Sequence, residues 1–441
     1  MSIRTRFAPS PTGHVHIGNM RAAIYNWLFA RHHGGTFLVR IEDTDRERST
    51  PEAIQTVFDA MSWLGIEADE EPVYQSTRQD AQLAAVRDLV ERGLAYETDK
   101  GSEGQGHAIV FKMPEESITF HDEIKGDLTK SRDDMKDFVI VRSNGTPVFH
   151  LANVQDDIAM GVTHVIRGDD HIENTYRHVA LYRALGAEVP RFAHLPMIVN
   201  HQGKPYSKRD GDAFVGDFRD QGILPDALFN YLVLLGWSPG DDREVMTRDE
   251  LIGLFSLDRV KSSPAQMDLK KLEWMNGEYI RAWPEDAFHE ACRRQMVEHG
   301  LWRDDIDESY FKQVASLMQA RVKRISEFVD AATYFFSEEY AFDEKAVRKR
   351  LNKAEAIDGL RMLRERYATL DPFTEEATEE ALRTLAEENE GKTASFVHPA
   401  RVAVSGLGGG PGLFEMLALL GRDRVVQRLD RAIEKYSDTS T

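Results

Sequence analysis

Cys292 is the only cysteine among 441 residues, which excludes an internal disulfide framework and any multi-cysteine zinc site. Long apolar runs are missing too. No window approaches the roughly 20 uninterrupted apolar residues that a membrane span needs. Residues 3–8 alternate like a strand where a secretory leader would carry an apolar core. Positive charge is in deficit: 55 Lys and Arg face 74 Asp and Glu, a net charge of −19. Such a surface repels a polyanion in bulk, so any nucleic-acid contact must use local basic patches. Three runs qualify: Lys204, Lys208 and Arg209; Arg321, Lys323 and Arg324; Arg348, Lys349, Arg350 and Lys353. Each run taken singly reads as a solvated helix face. The expectation is a soluble, cytoplasmic, membrane-free chain of about three domains.

The 41% of apolar residues suffices for real cores, and their spacing gives the organisation. Residues 3–8 read as a strand and 9–18 as a turn-rich loop. Asn19 then reads as the cap of a helix whose apolar face is Met20, Ala23, Ile24, Trp27 and Leu28. Arg31, His32 and His33 suit the negative end of that helix, Gly34–Gly35 stops it, and residues 36–41 form the next strand. This is half of a doubly wound nucleotide-binding fold. A second such unit follows downstream, with a strand at 162–167, a helix at 172–185 and a strand at 192–199. Between them lie a glycine-rich linker at 99–107 and alternating β patterns at 109–113 and 138–142. The reading is an α/β Rossmann-like domain split by a small α+β insert. From Leu224 onward the pattern turns helical. Pro225 opens one helix, Thr247 and Glu250 form a capping box for another, and 413–420 and 422–436 are the last two.

The loop PSPTGHVHIGN carries the first chemistry. Two prolines and Gly13 fix its course, and Gly18 lets backbone approach a ligand at a helix start, where N–H groups favour anions. His16 offers a donor to a phosphate oxygen, and Thr12 a hydroxyl. Alone, the loop reads equally as a turn with a helix cap. The whole stretch of residues 6–45, RFAPSPTGHVHIGNMRAAIYNWLFARHHGGTFLVRIEDTD, resembles the N-terminus of bacterial glutamate–tRNA ligases, class I aminoacyl-tRNA synthetases. HVHIGN is similar to that family's HIGH motif, with Asn19 in the fourth position where glycine or histidine is usual. GKPYSKRDG at 203–211 resembles the KMSKS loop, a mobile cationic segment that steadies the triphosphate as diphosphate leaves. In that register Lys208 is the second lysine, Ser207 precedes it, and Pro205 stands where the first lysine is expected, with Lys204 one residue earlier.

The resemblance also implies the substrates. An amino acid needs a carboxylate for its ammonium and a cation for a side-chain carboxylate. Glu42 is expected to take the ammonium. Arg167, in VIRGDDH, is expected to take the side-chain carboxylate, with Arg6, Ser10, Asn153, His171 and Phe149 completing the glutamate pocket. Phe149 replaces the family's usual tyrosine. Thr12, His16, Gly18, Asn19, Ser207 and Lys208 are expected at ATP, with His16 and Lys208 catalytic. Further blocks at 224–242, 267–281 and 411–429 extend the likeness over nearly the whole chain.

The implied domains are residues 1–85 and 148–212 for the two catalytic halves, 86–147 for a shortened acceptor-binding insert, 213–290 for stem contact and 291–441 for a helical anticodon-binding domain. The insert carries no cysteine, so no zinc or other protein-held metal is expected, while Mg²⁺ would accompany ATP. The implied activity is attachment of L-glutamate to tRNA(Glu) through glutamyl-adenylate by a monomer. Two alternatives stay open: an enzyme that also glutamylates tRNA(Gln), and an RNA-binding paralogue that has lost catalysis.

Overall fold

The computed structural model describes residues 2–11, 13–44, 49–98, 107–389 and 391–437. They form two compact units, Met1–Met275 and Asn276–Thr441.

In the first unit, β1 (Arg4–Phe7), β2 (Thr36–Ile41) and β3 (Val73–Tyr74) make a parallel sheet in the order β1-β2-β3. The next six strands are β4 (Ala95–Glu97), β5 (Ile109–Phe111), β6 (Ile118–Asp122), β7 (Gly126–Lys130), β8 (Phe138–Val141) and β9 (His164–Gly168). The last three are β10 (Arg191–Leu195), β11 (Ile198–Val199) and β12 (Ala265–Gln266). A second sheet runs β7-β6-β10-β9, parallel except for the β6–β7 hairpin. The two sheets abut, because the Arg4 carbonyl accepts from the Thr163 N–H at 3.0 Å and β1 packs beside β9. β4, β5 and β8 form a separate antiparallel sheet.

The helices that matter for the site are α1 (Ile17–His32), α2 (Pro51–Trp63), α3 (Gln79–Glu91), α4 (Phe149–Ala159) and α5 (Ile172–Ala184). α1 is buried almost all round. Met20, Ala23, Ile24, Trp27 and Leu28 are buried as expected, but so are Tyr25, Asn26 and Phe29. The helix is covered by β1 and β9 and also by helices Pro225–Leu234 and Arg248–Leu254, with Trp27 against Phe229. The residues between the catalytic halves share a core with them: Phe111, Ile118, Phe120 and Ile140 pack with Leu151, Val165, Val179 and Phe192.

Two local expectations are corrected. Asn19 does not cap α1. The helix begins two residues earlier, and its cap is His16, whose Nδ1 accepts from the Gly18 N–H at 3.0 Å. An imidazole with a free lone pair does there what an Asn side chain does elsewhere. The strand read at 192–199 is broken at Pro196. Proline has no N–H for the ladder, so β10 stops at Leu195 and β11 leaves to pair with β12. The freed Pro196 carbonyl accepts from the Arg21 guanidinium.

In the second unit, every regular element among the described residues is helical, ending with Leu413–Leu420 and Arg422–Ser437. Arg428 is fully buried there, donating to the Val404 and Tyr334 carbonyls, each at 2.8 Å, and to Glu338 at 3.0 Å. A buried guanidinium that uses its donors this way ties three segments together.

Candidate active site

A cavity of about 510 Å³ opens at the C-terminal edge of the parallel strands, where such folds bind ligands. Four of those strands deliver residues to it. Arg6 and Phe7 come from the end of β1, Glu42 from just past β2, Arg167 and Gly168 from the end of β9, and Leu195 and Pro196 from the end of β10. Ser10, His16, Gly18 and Asn19 line it from the loop and first turn of α1, Phe149 and Asn153 from α4, and His171 from the turn before α5. Ser207 and Lys208 stand outside this lining. Thr12 lies outside the described residues.

The cations of the site are handled in two different ways. Arg6 and Arg40 share one partner, Asp157: Arg6 Nε lies 3.3 Å from its Oδ1, and the Arg40 guanidinium grips the same carboxylate more closely. Tyr182 donates to its other oxygen at 3.2 Å. Burial disfavours a charged Asp157, but Arg40 and Arg6 outweigh that and hold its carboxyl below the usual range. Arg40 also pairs with Glu42 at 3.1 Å, and Asn153 Nδ2 donates to the same Glu42 oxygen at 2.8 Å. One edge of Glu42 is thus fixed, while Asn153 Oδ1 is buried with no hydrogen-bond partner among the described residues.

Arg167 is different. It is 8% exposed, and no carboxylate among the described residues pairs with it. Burial and then repulsion from Arg6 pull its affinity for the proton down to about 10. A buried cation without a counter-ion is costly unless something anionic arrives. Beside it, Phe149 forms an aromatic wall with His171 and His178, ring centres 5.9 and 5.7 Å away. Its phenyl supplies no hydroxyl.

His16 faces the nucleotide end. With Nδ1 occupied by the Gly18 N–H, its hydrogen sits on Nε2. Burial lowers its basicity, with a hydrogen bond to the Tyr206 backbone opposing, so the ring is a neutral donor. The 203–211 segment reaches the cavity through Pro205 and Tyr206, whose buried hydroxyl has no partner among the described residues. Asp210 braces the loop, accepting from Asn200 Nδ2 at 2.6 Å and from Ser207 N and Oγ, each at 3.0 Å. Lys208 Nζ lies 5.5 Å from the Phe214 ring centre, and that ring meets His16 edge-on at 6.1 Å. Loop and helix start therefore share one aromatic post.

Several contributors escaped the sequence reading: Arg40, Asp157, Thr175, His178 and His194. Two had a signal. Arg40 precedes Glu42 by two where a strand ends, and Asp157 follows Asn153 by four on a helix, spacings that bring each pair to one side.

Comparisons with known proteins place the chain in a family. The family description "tRNA synthetases class I (E and Q), catalytic domain" matches residues 2–105 and 97–274, and "Anticodon binding domain" matches 278–433. Glutamate–tRNA ligase 1 of Caldanaerobacter subterraneus subsp. tengcongensis is 39% identical, covering 98% of each chain. Glutamate–tRNA ligase 1 of Gluconobacter oxydans is 40% identical, covering 97% of this chain and 98% of that one. The crystal structure of a glutamate tRNA ligase from Elizabethkingia meningosepticum, in complex with its amino acid, superposes with a TM-score of 0.87 at 29% identity over 99% of this chain and 100% of the other. With the family matched from one end to the other, and with an ATP-using class I catalytic domain ahead of an anticodon-binding domain, the chain belongs to the glutamate–tRNA ligases, enzymes that join glutamate to tRNA.

Proposed function

We propose that the cavity holds L-glutamate against Arg167 and Glu42, with ATP lying across the start of α1. The observation that carries this is Arg167, a buried guanidinium left without a carboxylate. It meets the side-chain carboxylate of glutamate. Glu42 and the unpartnered Asn153 Oδ1 take the α-ammonium, and Arg6, Ser10, Phe149 and His171 close the pocket around it.

In this arrangement the α-carboxylate oxygen attacks the α-phosphorus of ATP. The bond to the β-phosphate oxygen breaks, and diphosphate leaves with its electron pair. His16 turns the Nε2 hydrogen that faces the Tyr206 backbone to phosphate oxygens, the first-turn N–H groups at Gly18 and Asn19 add their dipoles, and Thr12 adds a hydroxyl. Lys208, with Ser207 beside it, meets the charge that grows on the leaving diphosphate. A terminal ribose hydroxyl of tRNA(Glu) then attacks the acyl carbon, giving the ester and AMP. Mg²⁺ would ride on the triphosphate, shielding its charge. The reading is of a monomer acting in the cytoplasm, and no described helix is long and apolar enough to cross a membrane.

The test is ATP–diphosphate exchange and tRNA charging, with and without tRNA, for the wild-type chain and Arg167→Gln. Glutamate-dependent exchange with tRNA present is expected. In the variant, KM for glutamate should rise by about 100-fold while KM for ATP stays put. Absence of exchange and charging in the wild-type chain would overturn the reading. Charging of a tRNA with a glutamine anticodon under the same conditions separates a relaxed enzyme from a strict one.

A further inference from the structure

Arg167 is aimed by three neutral acceptors. Its Nη2 donates to Thr175 Oγ1 at 2.7 Å, its Nη1 faces His178 Nδ1 at 3.4 Å, and its Nε faces His194 Nε2 at 3.4 Å. A guanidinium offers only hydrogens, so the ring nitrogen each histidine turns toward it carries a lone pair. The hydrogen of each ring then sits on the other nitrogen, and each has an acceptor. His194 Nδ1 donates to Asp122 Oδ2 at 2.6 Å, and the backbone N–H groups of His194, Ile124 and Lys125 hold that carboxylate in place. His178 Nε2 donates to His150 Nδ1 at 3.2 Å. Thr175 Oγ1 lies 3.0 Å from the His171 carbonyl and 2.9 Å from His194 Nε2, and its one hydrogen, turned to His194, meets the same lone pair that faces Arg167. The tautomers are therefore set from one residue further out.

We propose that His178 and His194, locked as lone-pair acceptors by His150 and Asp122, are positioning residues that aim Arg167 while leaving its charge for the substrate, and thereby set the preference for glutamate over its uncharged amide. This rests on the reading of Arg167 given above. The contrast lies within the same site. Arg6 and Arg40 are aimed by carboxylates, sharing Asp157, with Glu42 also on Arg40. An Arg167 held in that way would be equally well oriented but would offer an incoming carboxylate much less. Asp122 does supply a negative charge, but an imidazole stands between it and Arg167. Burial, and then Arg167 itself, keep the His178 ring far from protonation, so the clamp adds no second cation.

The test is steady-state charging by the full chain at saturating tRNA, with glutamate, glutamine and ATP varied in turn. Arg167→Gln is the reference arm. If it leaves KM for glutamate unchanged, the glutamate-site reading itself falls; if it raises KM and the clamp variants do not, only the present inference falls. His178→Leu should raise KM for glutamate about tenfold, with KM for ATP moving less than about twofold. His178→Asn, whose amide oxygen takes the place of Nδ1, should recover most of that loss. His178→Asp, which neutralises Arg167, should cut the glutamate-over-glutamine ratio in kcat/KM by about tenfold or more. The proposal is overturned if Leu and Asn behave alike, if both KM values rise together, or if the Asp variant keeps its preference. Should the His178 variants not fold, Asp122→Asn makes the same test at His194. Its amide permits the opposite tautomer, so the same selective rise in KM for glutamate supports the inference and an unchanged KM overturns it.

Discussion

Single residues at this site carry more than one duty, and His16 is the clearest case. Its Nδ1 closes the first turn of α1 through the Gly18 N–H, and its Nε2 hydrogen is what the proposed chemistry uses. The two duties separate in His16→Asn. Asparagine is as good a cap, so the thermal midpoint should barely move, with a change within about 0.5 kcal/mol. The donor at the Nε2 position is lost, and glutamate-dependent exchange should fall by about 100-fold. Survival of exchange in a stable His16→Asn would make His16 a cap and nothing more. Position in the sequence exposed Arg6, Glu42 and Arg167, because strand ends in an α/β sheet are where ligands bind. It did not expose His178 or His194. Their role depends on which ring nitrogen faces Arg167, and for His194 that is decided by Asp122, 72 residues away along the chain. Asn19 has the chemistry of a cap, but a histidine three residues earlier fills that place.

The elements were legible wherever a period ran unbroken. β2 matches the expected 36–41, and helix Pro225–Leu234 starts at the proline that signals it. The Thr247–Glu250 capping box closes as the residue types require, Thr247 N donating to Glu250 Oε2 at 2.7 Å. What escaped was pairing. β6 lies far from β10 in sequence, and nothing in its short alternation of buried and exposed residues says which edge it joins. The 203–211 loop adds a question of register, since Lys204 and Lys208 both offer an ammonium. Its geometry favours Lys208, which lies over the Phe214 ring that abuts His16, whereas Lys204 belongs to the turn held by Asn200. Lys208→Ala should therefore depress exchange by about 100-fold, and Lys204→Ala by less than about fivefold. Equal losses would mean that the loop is used in the other register.

At the scale of the whole molecule, an acidic chain of net charge −19 must still hold a polyanion. Separate runs in the sequence looked like solvated faces, and only folding shows that two of them meet. In the second unit, helix Ala394–Ser405 carries His398 and Arg401. Burial first, and then Arg350, Arg401 and Lys349, lower the basicity of His398; burial and Arg321 do the same to Arg401. Cations from 321–324 and 348–353 thus converge on one helix, and Lys349 and Arg350 have no ion-pair partner among the described residues. Like charges that repel in the free protein are stabilised when phosphates arrive, so this cluster is our candidate tRNA contact. Lys349→Glu with Arg350→Glu should raise KM for tRNA by about tenfold or more near physiological salt. It should also make the plot of log KM against log salt shallower by about one for each phosphate that is no longer neutralised. At saturating tRNA, KM for glutamate and ATP should hold. Arg383, already paired with Glu379 at 2.7 Å, is the matched control, and Arg383→Glu should change neither KM for tRNA nor the salt slope. If the control and the double variant shift together, the effect belongs to net charge and not to this patch.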